Sequence, residues 1–271
     1  MEKLREHLAF LKQNHALVSI KCGTEVEAQT FEEIWFMRRI TRGIVPLTVK
    51  IAGPEARNDI EFMLSADVDC ILAPMVESAY GLKNFVSTMA ALDPKGQSEL
   101  AVNIETVTAW RNLEEIFDSP SFAAIKQVTV GRSDLSGSMG LDVDDDEITR
   151  IARAIVAAAH TRGKRTSIGG QVTTENAPLV QERLRADTIN TRHMVVDLAP
   201  KGITENIAAA LLWEREYYLE LNAYFPNRRK FYFDRIASIE ERVARGLKNP
   251  EYASEAEQPL YTGTPQAFAL T

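Results

Sequence analysis

The chain has 271 residues, 45% hydrophobic and 25% charged, a composition that excludes a disordered or fibrous protein and leaves room for a sizeable core. Lys and Arg number 31 against 38 Asp and Glu, a formal net charge of −7 at pH 7, so no overall basic field draws nucleic acid or an anionic membrane surface. The two cysteines, Cys22 and Cys70, sit in apolar runs without CxxC spacing, which argues against a disulfide scaffold and a thiolate zinc site and fits a cytoplasmic protein.

The first fifteen residues read as an amphipathic helix with charges throughout, not as a secretory signal, and no stretch approaches the length of apolar sequence that a membrane span needs. Strand-like and helix-like segments then alternate in the pattern of repeated βα units. A strand is expected at 17–21, followed by a helix over 30–42 whose Thr30 and Glu33 have capping-box spacing. Strand 47–51 precedes helix 56–65, strand 70–73 precedes helix 80–91, and strand 100–104 precedes a helix over 108–117. Strand 127–130 leads through a Gly- and Ser-rich turn to helix 145–160, and strand 165–168 leads to helix 175–183. A seventh strand is expected at 188–191 and an eighth is possible at 193–197. Strands this apolar are expected where helices cover the sheet, so a TIM (β/α)8-type barrel is the first choice, with an incomplete or irregular strand allowed and a doubly wound open sheet as the alternative.

From residue 204 the pattern is helical only and dense in aromatics, including Trp213, Tyr217, Tyr218, Tyr224, Phe231 and Phe233. Residues 1–203 therefore read as the barrel carrying the active site. Residues 204–271 read as a helical extension and tail that serves as a lid or as a homo-oligomer contact, with a loose tail from about Asn249.

In such barrels the residues that follow the strands face the active-site mouth. Here those positions are unusually polar: Glu25 and Glu27, Lys50, Pro74 and Glu77, Glu105, Arg132 and Asp134, Gly169 to Gln171, and Arg192. Glu105 and Asp134 directly follow neighbouring strands, and two carboxylates so placed are a usual way to hold Mg²⁺ or Mn²⁺. The competing structural reading, Glu105 as a helix cap and Asp134 paired with Arg132, stays open on spacing alone. Lys50 could bind a carboxylate, stabilise an enolate or form a buried ion pair; Schiff-base chemistry is the less favoured use. The segment from Gly131 to Ser138 could cradle a carboxylate with its backbone N–H groups, or be only a turn. Asp144, Asp145 and Asp146 read as first-turn helix acids. No GxGxxG, Walker loop, GxSxG or HExxH motif is present, so dinucleotide, P-loop, serine-hydrolase and zincin chemistry lack their motifs.

At Lys50-Ile-Ala-Gly-Pro-Glu-Ala56, Ala73-Pro-Met-Val-Glu-Ser78, Asn103-Ile-Glu-Thr106 and Gly131-Arg-Ser-Asp-Leu-Ser-Gly-Ser-Met-Gly140, the sequence resembles the HpcH/HpaI aldolase and citrate lyase β-subunit superfamily over about residues 17–200. The resemblance implies a pyruvate/phosphoenolpyruvate-type TIM barrel with a divalent metal, Mg²⁺ or Mn²⁺, on Glu105 and Asp134. It further implies that Gly131, Ser133 and Asp134 receive a 2-oxo acid carboxylate, and that a C–C bond to an aldehyde or acyl partner is made or broken through an enolate. Pro74, Glu77 and Arg192 join the expected substrate contacts. The aldolase branch has arginine where Lys50 stands and a histidine after the acids where Glu25-Val-Glu27-Ala28 stands. That departure leaves Lys50, Glu27 and Arg132 as the catalytic candidates. A citryl-CoA or malyl-CoA-like lyase or thioesterase, with Arg228-Arg229-Lys230 as its basic cluster, and a catalytically idle binding barrel are the other two readings.

Overall fold

Short buried strands alternating with amphipathic helices dictate the architecture of the computed structural model, which describes residues 1–245. Helix α1 (Glu2–Asn14) precedes β1 (Leu17–Gly23). Then follow α2 (Phe31–Thr41), β2 (Leu47–Lys50), α3 (Arg57–Ser65), β3 (Cys70–Ala73), α4 (Ala79–Leu92) and β4 (Glu99–Ile104). The short helices α5 (Val107–Arg111) and α6 (Leu113–Asp118) lead to β5 (Gln127–Gly131), α7 (Arg132–Met139), α8 (Asp146–Thr161) and β6 (Arg165–Gly169). The chain continues through α9 (Ala177–Leu184), β7 (Thr188–Asn190), β8 (Met194–Asp197), α10 (Ile203–Tyr224) and α11 (Arg229–Ala244). The tail expected from Asn249 lies outside the described residues.

The eight strands form a closed barrel in sequence order, which removes the open-sheet alternative. Strands β1 to β7 pair in parallel, as βα units require, whereas β8 runs antiparallel to both β7 and β1. The reversal follows from chain length: only Thr191, Arg192 and His193 separate β7 from β8, and a parallel crossover needs a dozen or more residues. The irregular strand allowed for in the sequence is therefore this one.

Local chemistry sets where helices begin. The expected capping box forms at α2: Glu33 N–H donates to Thr30 Oγ1 at 3.3 Å and Thr30 N–H to Glu33 Oε2 at 3.0 Å. Ser78 caps α4 and Asp145 caps α8, with Asp146 and Glu147 in the first turn of α8, the dipole-complementing role read for the aspartate triplet. Two expectations differ. The helix over 108–117 is broken at Asn112, whose side chain donates instead to Glu77 O at 2.9 Å. The Gly- and Ser-rich turn after β5 is helix α7, which buries Leu135 and in which the Ser136 and Ser138 hydroxyls donate to backbone carbonyls three residues back.

Helices α10 and α11 share one apolar cluster with the barrel. Trp213, Tyr217, Tyr218 and Tyr232 are fully buried within the chain, and Trp213 Nε1 donates to Leu4 O at 3.1 Å. Tyr224 and Phe233 remain exposed. No helix among the described residues is long and apolar enough to cross a membrane. Because Trp213 belongs to the common core, Trp213→Ala is expected to destabilise the protein by about 3–5 kcal/mol. Urea denaturation should show barrel and extension unfolding in a single transition.

Candidate active site

A cavity of about 720 Å³ opens at the mouth formed by the C-terminal ends of the parallel strands. Of the residues singled out from the sequence, Glu27, Lys50, Glu105, Gly131, Ser133, Asp134 and Arg192 line it. Pro74, Glu77 and Arg132 do not. Glu77 accepts from Thr106 Oγ1 at 2.6 Å and so ties the loop after β3 to the start of α5. Arg132 is buried and points away, pairing with Asp144 at 3.0 Å and donating to Gly170 O at 2.8 Å. That ion pair replaces the Arg132–Asp134 pairing considered in the sequence.

Glu105 leaves the end of β4 and is buried. Its Oε1 accepts from Met75 N–H at 2.9 Å and its Oε2 from Asn103 Nδ2 at 2.7 Å. Burial, reinforced by the charge of Asp134, pushes its pKa up, although Lys50 and the two donors oppose the shift. Gly131 makes room for this carboxylate: a Cβ at that position would lie 2.5 Å from Glu105 Oε2. Asp134, in the first turn of α7, is exposed at the mouth and accepts no side-chain hydrogen bond among the described residues.

A second charged group lies beside this pair. Lys50, at the end of β2, is buried and contacts Glu25 Oε2 at 2.5 Å and Glu27 Oε2 at 3.7 Å. Lys21, inside β1, contacts Glu27 Oε1 at 2.9 Å. Burial works against the charge of both Glu27 and Lys50, but mutual attraction wins. Lys21 and Lys50 hold Glu27 well below the usual carboxylate range, and Glu27, Glu25 and Glu105 raise the pKa of Lys50. Lys50 is consequently a fixed cation and a poor imine-forming nucleophile. Glu27, ionised so firmly, is a poor proton acceptor and acts to anchor the two lysines.

His193 has no place at the mouth. It is fully buried, with Nδ1 at 2.9 Å from Lys21 O and Nε2 at 2.7 Å from Tyr218 OH, and burial lowers its pKa. The neutral ring thus donates from Nδ1 and accepts from tyrosine. Arg228, in the basic cluster considered for CoA phosphates, pairs instead with Glu33 at 2.5 Å, and Lys230 pairs with Asp234 at 2.9 Å. The sequence did not single out Asn103, Asn190 or Arg242, which also line the cavity. The signal for Asn103 is a polar residue between the apolar residues of its strand.

The donor set suits a hard divalent cation. Two carboxylates converge beside open space, one of them desolvated and the other without a protein donor, which is the arrangement by which Mg²⁺ or Mn²⁺ is held while waters or substrate oxygens complete the shell. No cluster of three or more His, Cys, Asp and Glu side chains that could hold a metal occurs among the described residues, so an all-protein cage of that kind is not what the site offers.

Comparison with known proteins returns similar folds. Residues 48–177 match the family described as HpcH/HpaI aldolase/citrate lyase. Similar folds include a HpcH/HpaI aldolase/citrate lyase family protein from Burkholderia cenocepacia J2315, 15% identical, with a TM-score of 0.54 over 67% of this chain and 80% of that one. The citrate synthase SbnG is 16% identical, with a TM-score of 0.54 over 69% and 80%. The HpcH/HpaI aldolase from Desulfitobacterium hafniense DCB-2 is 16% identical, with a TM-score of 0.54 over 68% and 79%. Among curated proteins the chain finds no match.

Two expectations follow from the charges. Glu27→Gln leaves Lys21 without its carboxylate partner and should destabilise the protein by about 3 kcal/mol, read by urea denaturation. Metal-free Glu105→Gln should be more stable than the parent at pH 7, and the gain should vanish as pH falls below about 4, because a raised native pKa makes ionisation the unfavourable step. Denaturation curves at both pH values check the sign.

Proposed function

We propose that the protein is a divalent-metal-dependent carbon–carbon lyase of aldolase type, acting on a small 2-oxo acid such as pyruvate or oxaloacetate with an aldehyde or acyl partner. The observation that carries this reading is the convergence of Glu105, Asp134 and charged Lys50 on one cavity, from the ends of β4, β5 and β2. Two acids drawn together with a buried cation are costly for stability unless a ligand uses them.

Glu105 and Asp134 would hold Mg²⁺ or Mn²⁺, which when bound supplies Lewis-acid polarisation of the 2-oxo group. The first-turn N–H groups of α7 at Ser133 and Asp134 have no intrahelical acceptors and would receive the substrate carboxylate. Gly170, at φ 99°, permits the close packing of its loop against this turn, since a Cβ there would lie 2.5 Å from Ser133 N. Lys50 stays protonated and would stabilise negative charge developing on the enolate oxygen. Its environment fixes it before substrate arrives, because Glu25 and Glu27 hold its ammonium from the side of β1.

Calorimetry on chelator-treated protein tests the reading directly. Mn²⁺ or Mg²⁺ should bind, and pyruvate should bind only in its presence; metal-independent pyruvate binding, or none, would count against it. Glu105→Gln and Asp134→Asn should abolish metal-dependent turnover while the proteins stay folded. Lys50→Ala should lower kcat by about 10²–10³-fold if the cation serves the enolate, but chiefly raise KM if it only binds a carboxylate.

A further inference from the structure

The charges lining the cavity are unevenly satisfied. Lys21 and Lys50 are paired with Glu25 and Glu27, and Arg245 is paired with Glu241. Arg192, in the β7–β8 turn, and Arg242, on α11, also line the cavity, yet neither forms an ion pair among the described residues. Arg242 is anchored at one point only, by Nε donating to Val172 O at 2.8 Å, which leaves both terminal nitrogens without a protein acceptor among the described residues.

The two arginines are close enough to repel. Burial and the neighbouring Arg192 push the Arg242 pKa down, and Arg192 acts in the same sense on Arg235. Arg235 donates to Val26 O at 3.0 Å, while its Nε is buried without a partner. The acid whose charge opposes the shift of Arg242 is Glu214, but its Oε1 is taken by Thr191 and by the His193 N–H, both at 2.5 Å, and it makes no ion-pair contact with Arg242. Forked guanidinium groups that line a cavity and contact no acid are matched to a planar or tetrahedral anion.

We infer that Arg192 and Arg242 form an anion subsite for the second reactant, so that the electrophile carries a carboxylate or phosphate group and the C-terminal helix α11 selects it. The identity of that reactant as an electrophile rests on the lyase reading above; the anion subsite does not. In the condensing direction, C3 of the enolate bonds to the aldehyde carbon and the aldehyde oxygen takes up the proton that C3 lost. The cleaving direction reverses both events. Arg192 and Arg242 touch neither the breaking bond nor the transferred proton and act by positioning. A cavity of about 720 Å³ accommodates a three-carbon oxo acid and a second small anion together.

The test uses the full-length protein with Mn²⁺ and pyruvate, offered succinic semialdehyde, glyceraldehyde 3-phosphate or uncharged butyraldehyde. A charged aldehyde should be preferred over butyraldehyde by at least about 10-fold in kcat/KM, and comparison of the first two tells carboxylate from phosphate. Arg242→Ala should remove about 10- to 100-fold of that preference, mainly through KM for the charged aldehyde. Ser238→Asp provides a second variant that keeps Arg242. It sets a carboxylate one turn earlier on the same lining face of α11, and should produce the same selective loss. Equal use of charged and neutral aldehydes, or an Arg242→Ala loss that falls equally on both, would overturn the subsite.

Calorimetry separates this from failure of the lyase reading. If no aldehyde reacts but succinate or inorganic phosphate binds, and Arg242→Ala weakens that binding about 10-fold, the subsite stands and the reaction assignment falls. Wild-type protein that binds neither anion, or an Arg242→Ala protein that binds them equally well, refutes the subsite whatever the reaction.

Discussion

The carboxylate of Glu214 joins the two ends of the architecture. It projects from α10, fully buried, and its Oε1 accepts from Thr191 Oγ1 and His193 N–H in the turn from β7 to β8 and from Met194 N–H at the start of β8. A tight turn in the middle of a protein leaves backbone donors that water cannot reach, and an ionised acceptor satisfies several at once. Burial opposes that ionisation, but the neighbouring His193 and Arg242 and these donors hold the pKa down. The barrel closes through the strand that this turn launches, so the closure and the docking of the C-terminal helix depend on one side chain.

Around the mouth, electrostatics divides labour by neighbourhood. The β1–β2 side carries a balanced set, Lys21 and Lys50 against Glu25 and Glu27, whose attraction lowers the pKa of Glu27 and raises that of Lys50, so that it serves as a fixed field. The β4–β5 side carries two acids that repel, and the β7–β8 turn with α11 carries arginines without contacting acids. Stability favours the first arrangement and disfavours the other two. Unfavourable charge placement of this kind is what a site built for ligands looks like before ligands bind.

Much of this was legible in the sequence, for identifiable reasons. The run Cys-Ile-Leu-Ala at 70–73 is buried at all four positions, and its edges coincide with the strand because turn residues bracket it. Glu105, Asp134 and Lys50 could be read as mouth residues because each follows an apolar run. Helix α7 could not, since Gly137 and three serines lower its intrinsic propensity and only the burial of Leu135 makes it worthwhile. Position in a strand end also misplaced Arg132: as the first residue of α7 it points back to Asp144, not into the cavity. Arg242 carries no local signal at all, because its place at the mouth depends on how α11 folds back, a matter of tertiary path and not of pattern.

That path has a cause in parity. Seven parallel strands each end at the mouth, and had the eighth been parallel it would have ended there too. Because β8 runs the other way, the chain leaves the barrel at the opposite rim, at Asp197, and must travel the height of the molecule to return. Helix α10, with 22 residues and so about 33 Å long, spans that distance in one rise. The same reversal leaves the β7–β8 turn, and with it Arg192, at the mouth. A three-residue connection thus determines which end of the barrel the final helix reaches, and an ordinary crossover in its place would have delivered that helix to the floor.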